Sequence, residues 1–305
     1  MQSLSINRWS DRCAHVFCLV TLVIGAQIAP AQTNFTFVTA GDMRTFMKAA
    51  KPGERYFDGL CEAVHQLDAG AFMLSPGDCD DPVAIRATID KYIGKDYAWY
   101  PVVGNHDVES IPDMAWLRQW ASNGIPHLSE RGPASCDFTY SFDFGNAHFV
   151  AVSEYDGRDP KKVGEADITD VTLDWLEKDL SGTSKPLIFV FGHNPIKSFP
   201  DMDSGRVRHG GASVSANPAH FNRFIKSLTE HHVCAYICGH THDTSVEKVD
   251  GIWQTDSGHA RGAGDPGSPS TFLRFRVNGT EALVEVYRAD PKGVQYTLRK
   301  TVELN

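Results

Sequence analysis

Side chains that can bind metal ions recur along the sequence in five short turns, each of them led by glycine. The turns read Gly41-Asp42, Gly77-Asp78, Gly104-Asn105-His106-Asp107, Gly192-His193-Asn194-Pro195 and Gly239-His240-Thr241-His242. Glycine lets the backbone bend sharply and come close to an ion. Two carboxylates, one amide and three imidazoles form a mixed oxygen and nitrogen set that suits Zn, Fe or Mn better than Mg or Ca alone. The pattern therefore predicts a transition-metal site formed by Asp42, Asp78, Asn105, His193, His240 and His242.

Each of these turns follows a short apolar run that is typical of a β-strand. The runs before the five turns cover residues 35–40, 71–74, 99–103, 187–191 and 233–237, and two more runs cover residues 140–144 and 148–152. Ligands and catalytic groups of α/β sheets gather at the carboxyl ends of the strands. We therefore expect the five turns to converge at one edge, although long stretches of sequence separate them.

Segments with the period of an amphipathic helix alternate with these strands. Apolar side chains recur on one helical face in residues 54–67, 171–180 and 217–231. From Trp253 onward the pattern changes to antiparallel strands, and Asn278-Gly279 is a strong signal for a two-residue hairpin turn. These later strands are expected over residues 271–277, 281–287 and 294–302. No repeat or linker divides the chain, so the pattern predicts a single α/β domain over residues 32–305.

In this order and spacing, the five turns resemble the motif set of the calcineurin-like metallophosphoesterase superfamily, from Asp42 to His242. The resemblance implies a four-layer αββα sandwich, in which two mixed β-sheets are flanked by helices and two metal ions lie at the carboxyl edge. By motif, Asp42 and His242 would hold the first ion, and Asp78 would bridge both ions. The second ion would be held by Asn105, His193 and His240.

The same resemblance implies hydrolysis of a phosphomonoester or of a nucleotide-like phosphodiester. That reaction requires a stronger nucleophile than water and neutralisation of the phosphate charge, which two divalent or trivalent Fe, Zn or Mn ions supply. His106 would protonate the leaving oxygen or stabilise the transition state. Asp107 would orient His106. An acyl hydrolase fits less well, because the sequence has no GxSxG turn.

The first motif departs from the family pattern. The family usually has Asp-x-His there, whereas this chain has Asp42-Met43-Arg44, and arginine cannot ligate a cation. Purple acid phosphatases also lack that histidine and use a tyrosine three residues after the bridging aspartate, a position that Asp81 occupies here. Asp81, Asp80 or water are the candidates for completing the first site. Arg44 either pairs with Asp80 or Asp81, or grips a phosphate oxygen with its planar guanidinium.

A long polar segment over residues 196–216 follows the fourth turn and contains Arg206, Arg208 and His209 close together. Long loops in compact domains are often functional, although a mobile surface loop is the alternative. The functional interpretation is that this segment closes over the substrate and that Arg206 and Arg208 hold its phosphate. His259 follows a later strand and is a further candidate for lining the same crevice.

The amino terminus has the pattern of a cleaved signal peptide. Arg8 and Arg12 precede an apolar stretch over residues 16–28, and a small-x-small site predicts cleavage after Ala31. About 20 apolar residues are required to span a bilayer, so we expect no stable membrane anchor. The sequence thus predicts a secreted or periplasmic protein.

The charge and the motifs leave a limited choice of functions. The formal net charge is −9 and no basic stripe is present, so we expect a small-molecule phosphoester and not a nucleic-acid polymer. One alternative is a degenerate member of the fold that binds one metal and a phosphorylated ligand without turnover. Another is an exported structural domain whose histidines only stabilise turns. A metal-dependent oxidoreductase is remote, because the spacing forms no facial triad.

Overall fold

Two β-sheets lie face to face in the computed structural model, which describes residues 32–44, 51–155, 166–261 and 267–304. The described strands are β1 (Asn34–Thr39), β2 (Phe72–Pro76), β3 (Ala98–Val102), β4 (Leu128–Arg131), β5 (Tyr140–Phe144), β6 (Ala147–Ala151), β7 (Leu187–Phe191), β8 (Ala235–Cys238), β9 (Thr244–Val249), β10 (Ile252–Ser257), β11 (Thr271–Asn278), β12 (Glu281–Ala289) and β13 (Tyr296–Glu303). The described helices are α1 (Tyr56–Gln66), α2 (Pro82–Tyr92), α3 (Asn105–Glu109), α4 (Ile111–Ser122), α5 (Asp170–Gly182) and α6 (Pro218–Glu230).

Both sheets are mixed. The first has the strand order β13-β12-β11-β1-β2-β3, and the second has the order β4-β5-β6-β7-β8-β10-β9. Strands β1, β2 and β3 are parallel, and so are β6, β7, β8 and β10. The parallel strands of each sheet therefore bring their carboxyl ends to a common edge.

Aromatic side chains fill the space between the two sheets. Phe37 of β1 lies 4.6 Å from Phe275 of β11, measured between ring centroids. It also meets Phe149 of β6 and Phe189 of β7 across the interface, at 5.1 and 5.3 Å. All four rings are fully buried. Their alternation with outward-facing residues is what the period of a strand predicts for a sandwich core.

Helices cover the outer faces of both sheets. On the first sheet, Trp99 of β3 packs against Trp116 and Trp120 of α4. On the second sheet, Phe224 of α6 packs against Tyr236 of β8, within a separate apolar cluster that includes residues of α5. The predicted four-layer αββα sandwich is confirmed.

Several elements were not predicted from the sequence. Helix α2 begins where the Asp81 carboxylate accepts a hydrogen bond from the N–H of Ala84 and Pro82 occupies the first turn. Strand β10 was expected in the later antiparallel sheet. Instead, it joins the second sheet, antiparallel to β9 and parallel to β8. The reason is local, because Asp250 and Gly251 both have positive φ and close a β9–β10 hairpin.

The predicted signal segment, residues 1–31, lies outside the described residues. Part of the glycine-rich stretch near Arg261 lies outside them as well. Within the part of the chain that the structure describes, no helix has both the length and the apolar character needed to span a bilayer.

Candidate metal centre

The five glycine-led turns converge at the shared carboxyl edge of the two sheets. Three of the turns follow β1, β2 and β3, and two follow β7 and β8. Ligand atoms of Asp42, Asp78 and His193 all lie within 4.8 Å of one another, and all three side chains are buried. The structure thus brings together residues that are 151 positions apart in the sequence.

One half of the centre is formed by Asp42 and His242. Nε2 of His242 lies 3.1 Å from Oδ1 of Asp42. The other oxygen of Asp42 accepts a 2.8 Å hydrogen bond from the main-chain N–H of His240. This bond fixes the Asp42 carboxylate against the turn that follows β8. His259, the further candidate, is buried beside this half, with its ring 5.5 Å from that of His242.

The other half is formed by Asn105, His193, His240 and Asp78. Nε2 of His193 lies 3.2 Å from Oδ1 of Asn105, 3.1 Å from Nδ1 of His240 and 3.4 Å from Oδ1 of Asp78. Nδ1 of His240 lies 3.2 Å from the same oxygen of Asn105. Atoms bound about 2.1 Å from a single ion lie roughly 3.0 to 3.4 Å apart. The observed spacings fit shared coordination.

The chemistry of these atoms also fits a cation. Nδ1 of His193 lies 2.8 Å from the carbonyl oxygen of Pro76 and donates to it, which directs the Nε2 lone pair into the centre. There Nε2 faces the acceptor oxygens of Asn105 and Asp78. Acceptors that face one another repel unless a proton or a metal ion lies between them. The residues present therefore fit a transition-metal ion.

The electrostatics of the buried groups lead to the same conclusion. Burial lowers the pKa of His193, but the charges of Asp78 and Asp42 outweigh it and raise that pKa overall, so the site attracts positive charge. Burial and the neighbouring His193 lower the pKa of His240 to about 2, which keeps this imidazole in its neutral, metal-binding form. Burial opposes ionisation of Asp42, yet the nearby imidazoles hold its pKa well below the usual range.

Four of the candidate ligands have a strained backbone. Asp42, Asp78, His240 and His242 have φ values of 52°, 53°, 68° and 58°, in the left-handed region that residues with a side chain rarely adopt. Each such conformation costs about 1–3 kcal/mol and persists where the surroundings impose it. Four of the six candidate ligands are thus held by their turns in a conformation that an isolated chain would rarely adopt.

The glycines are required because atoms of the centre occupy the space of a side chain. A Cβ on Gly77 would lie 2.5 Å from Nδ1 of His193. On Gly104 it would collide with Oδ1 of Asp78, and on Gly239 with Oδ2 of Asp42. In three of the five turns, the leading glycine thus leaves room for a candidate ligand supplied by another turn.

His106 lies at the rim of the centre, and its side chain is partly exposed. Its Nε2 is 4.0 Å from Oδ2 of Asp78, and its Nδ1 is 2.9 Å from Oε2 of Glu109. The prediction that Asp107 orients His106 is wrong. Asp107 is buried and accepts a hydrogen bond from the N–H of Gly104 at 2.7 Å, so it shapes the turn. Glu109 holds the ring instead, and its position three residues along α3 was the signal in the sequence.

Arg44 pairs with Asp80, one of the two arrangements considered from the sequence. Its Nε lies 3.1 Å from both carboxylate oxygens of Asp80. Asp81, the residue considered for the place of the tyrosine, is exposed and caps helix α2, so it does not complete the first half of the centre. The first half therefore has fewer protein ligands than the second.

The segment over residues 196–216 is fastened to the body of the protein. Arg206 donates to the Asp243 carboxylate at 2.6 Å and to the His242 carbonyl at 3.2 Å, so it braces the turn after β8. Its role with substrate stays a prediction. Arg208 donates through Nε to Nε2 of His209 at 3.1 Å, and its role with substrate stays a prediction.

His209, which the sequence placed among the basic residues of this segment, lies beside the centre, next to a cavity that the sequence did not predict. The ring of His209 lies 4.7 Å from that of His240, between centroids. A cavity of about 340 Å³ opens beside Asn105 and His240. It is also lined by Glu109, Tyr155, Ala166, Asn194, Gly211, Ala212, Ser213 and Ala216. A space of this size is typical of small-molecule sites.

Two buried carboxylates lie behind the histidine turns and were also missed. Glu154, which follows β6, accepts from the main chain of the turn after β7, and burial raises its pKa to about 7. Asp256, at the end of β10, accepts from the Thr241 hydroxyl at 2.6 Å, and burial raises its pKa well above the ordinary value. Neither residue belongs to a glycine-led turn, so no local pattern marked them.

The fold and this edge define a metal-binding αββα sandwich protein. The family model for calcineurin-like phosphoesterases matches residues 21–244. The chain belongs to the calcineurin-like phosphoesterase family.

Individual relatives are distant. Tartrate-resistant acid phosphatase type 5 from Sus scrofa is 25% identical over 139 residues, which make up 43% of this chain and 36% of that protein. This chain thus spans about a third of the length of that phosphatase. GAP50, the anchor in the inner membrane complex of Plasmodium, has a TM-score of 0.59 at 15% identity and covers 90% of this chain and 89% of its own. PhoD has a TM-score of 0.62 at 11% identity, with coverages of 91% and 71%. Both structures support the fold alone.

Proposed function

We propose that the protein is an exported phosphoesterase that hydrolyses a small phosphomonoester with two bound metal ions. The observation that carries the proposal is the cluster of opposed acceptor atoms on Asp78, Asn105, His193 and His240, which requires positive charge at its centre. The acid phosphatase relative and the cavity of about 340 Å³ favour a monoester with a small alcohol over a nucleotide-like diester.

Each group then has a defined task. Asp42, Asp78 and His242 would hold one ion, and Asn105, His193 and His240 would hold the other together with Asp78. When bound, the ions supply an activated water and neutralise the phosphate charge. His106, held through Nδ1 by Glu109, presents Nε2 to the leaving oxygen and gives it a proton. The ring of His209 lies 4.7 Å from that of His240, at the edge of the same centre.

The test uses the purified protein stripped of metal and reloaded with Mn, Fe or Zn. We expect hydrolysis of para-nitrophenyl phosphate to exceed that of its bis ester, and elemental analysis to find two ions. His106→Asn should lower kcat by about 100-fold or more while the metal content stays unchanged. His65→Asn, which alters an exposed histidine of α1, serves as the matched control. Normal turnover by His106→Asn would remove His106 from the mechanism.

A second candidate is ligand binding without turnover. It is favoured by Arg44 in place of the first-motif histidine and by the use of Asp81 as a helix cap. In that case the protein would retain one ion and bind inorganic phosphate, but it would cleave neither ester with any of the three metals. Measured turnover with two bound ions would exclude it.

Export is part of the proposal because of the basic and apolar pattern of residues 1–31. Expression of the full chain in a secreting host, followed by amino-terminal sequencing of the exported product, tests it. The expected first residue is Gln32. A product that stays in the cytoplasm with its first 31 residues intact would contradict export.

A further inference from the structure

Glu154 occupies the centre of a hydrogen-bond cluster directly behind the turn that carries His193. It lies three residues beyond β6, at the same edge as the metal-binding turns, and its side chain is buried. Its Oε1 and Oε2 each lie 3.1 Å from the main-chain N–H of His193. Oε1 also accepts from the N–H of Asn194 at 3.3 Å and from the Tyr236 hydroxyl at 3.0 Å.

These contacts leave the turn little freedom. Two consecutive main-chain N–H groups are held by one carboxylate, and the Tyr236 hydroxyl also lies 2.7 Å from the carbonyl oxygen of Asn194. Gly192 leads the turn, and a Cβ there would lie 2.5 Å from both Oε1 of Glu154 and the Tyr236 hydroxyl. The packing behind the turn is therefore tight as well as hydrogen-bonded.

The cluster fixes where His193 points. Glu154 holds its main chain from behind, and the carbonyl of Pro76 holds Nδ1 of its ring at 2.8 Å. With both ends of the residue fixed, Nε2 faces Asn105 and His240. Neither anchor is itself a candidate ligand.

We propose that Glu154 is a positioning residue for the second metal ion, acting through the main chain of His193. The proposal rests on the proposed function, because it assumes that His193 binds a metal. Groups that orient metal ligands typically change metal affinity by about 10–100-fold when they are removed. Glu154 would do this by holding the backbone of a ligand, without any contact to the ion.

The experiment measures Mn²⁺ binding by the whole chain, with electron paramagnetic resonance and chelator competition, beside urea unfolding of the metal-free protein. We expect Glu154→Ala to weaken the binding of one ion by about 10–100-fold. Glu154→Gln should restore most of the affinity, because its amide oxygen can take the place of Oε1, which accepts three of the hydrogen bonds. Asp179→Asn, at a buried carboxylate bonded to Ser141 and His148, is the control that should lower stability and leave Mn²⁺ affinity unchanged.

Tyr236→Phe keeps the inference testable if Glu154→Ala does not fold. This variant removes the hydroxyl that contacts both Glu154 and the Asn194 carbonyl of the same turn, and we expect it to weaken Mn²⁺ binding by a smaller factor. If Glu154→Ala binds Mn²⁺ as tightly as the wild type does, the positioning role is overturned while the proposed function stands. If Glu154→Ala does not fold, wild-type affinity in Tyr236→Phe has the same consequence. An equal loss of affinity in Asp179→Asn would also overturn it. A wild-type chain that binds no Mn²⁺, Fe or Zn would overturn the proposed function itself.

Discussion

Gly104→Ala is the smallest change that should separate the metal ligands. Gly104 has φ −102°, which alanine adopts without backbone strain, so the effect of the substitution is steric. The added Cβ would collide with Oδ1 of Asp78 and would lie 2.6 Å from the main-chain nitrogen of Asp78 and 2.8 Å from Cε1 of His193. None of these atoms belongs to the far end of a flexible side chain.

The size of the effect follows from these contacts. Ordinary van der Waals contact begins at 3.4 Å, so the main-chain nitrogen of Asp78 must move by about 3.4 − 2.6 = 0.8 Å, or Gly104 must retreat by as much. Overpacking of this kind costs about 1–3 kcal/mol of unfolding free energy. A misplacement of about 1 Å in a catalytic constellation costs about 100-fold in rate. We therefore expect kcat/KM to fall by roughly two orders of magnitude.

The assay is hydrolysis of para-nitrophenyl phosphate at saturating metal, together with metal analysis and urea unfolding. Gly182→Ala, at the end of α5, is the matched control, because no atom lies within 4 Å of its added Cβ. It should leave kcat/KM unchanged. If Gly104→Ala binds two ions and keeps its kcat/KM within about threefold of wild type, the close packing of the turns is not what fixes the centre.

Smaller effects are expected from charge changes and from metal removal. Burial lowers the pKa of His148, but its hydrogen bonds to Asp143 and Asp179 raise it to about 9, above the ordinary 6.5. Because the side chain of Asp143 is partly exposed, the effect is discounted to on the order of 2 kcal/mol of stability, which is present below about pH 6.5 and is lost as pH rises through about 9. The unfolding free energy should therefore fall across that range in wild type and stay nearly constant in His148→Gln. Chelation should lower the unfolding free energy by about 2.7 kcal/mol for each ion present at 100 times its Kd, so calorimetry distinguishes one ion from two. Arg44→Ala breaks the ion pair with Asp80 and should cost at most about 1 kcal/mol with KM nearly unchanged, whereas a KM about tenfold higher would show that Arg44 contacts substrate.

The turns could be predicted from the sequence because their signals are local. A glycine followed by Asp, Asn or His after an apolar run requires only a few neighbouring residues to be recognised. Parallel strands then bring such turns to one edge whatever the length of chain between them. For that reason Asp42 and His242, 200 positions apart, were placed together, and the structure puts their side chains 3.1 Å apart.

Glu154 and the arrangement around Arg44 could not be predicted in the same way. The role of Glu154 depends on which main-chain groups pack behind β7, and no spacing in the sequence shows that. The choice of Asp80 over Asp81 as the partner of Arg44 depends on where helix α2 begins, since capping the helix turns Asp81 away. The contact of Arg206 with Asp243 could not be predicted either, because a cationic side chain can pair with any buried carboxylate that the fold brings near it.

The unequal halves of the centre help to choose between hydrolysis and binding alone. Asp42 and His242 hold the first half with fewer ligands, so an ion there should be the weaker bound. The proposed hydrolysis uses the contact between Glu109 and Nδ1 of His106, because with Nδ1 held the Nε2 atom lies 4.0 Å from Asp78 on the side of the site. The pair of His106 and Glu109 is therefore part of the proposed hydrolysis. It also predicts that the rate of hydrolysis depends on metal occupancy of the first half, which binds its ion more weakly. Activity should therefore continue to rise with added metal after the second half is full.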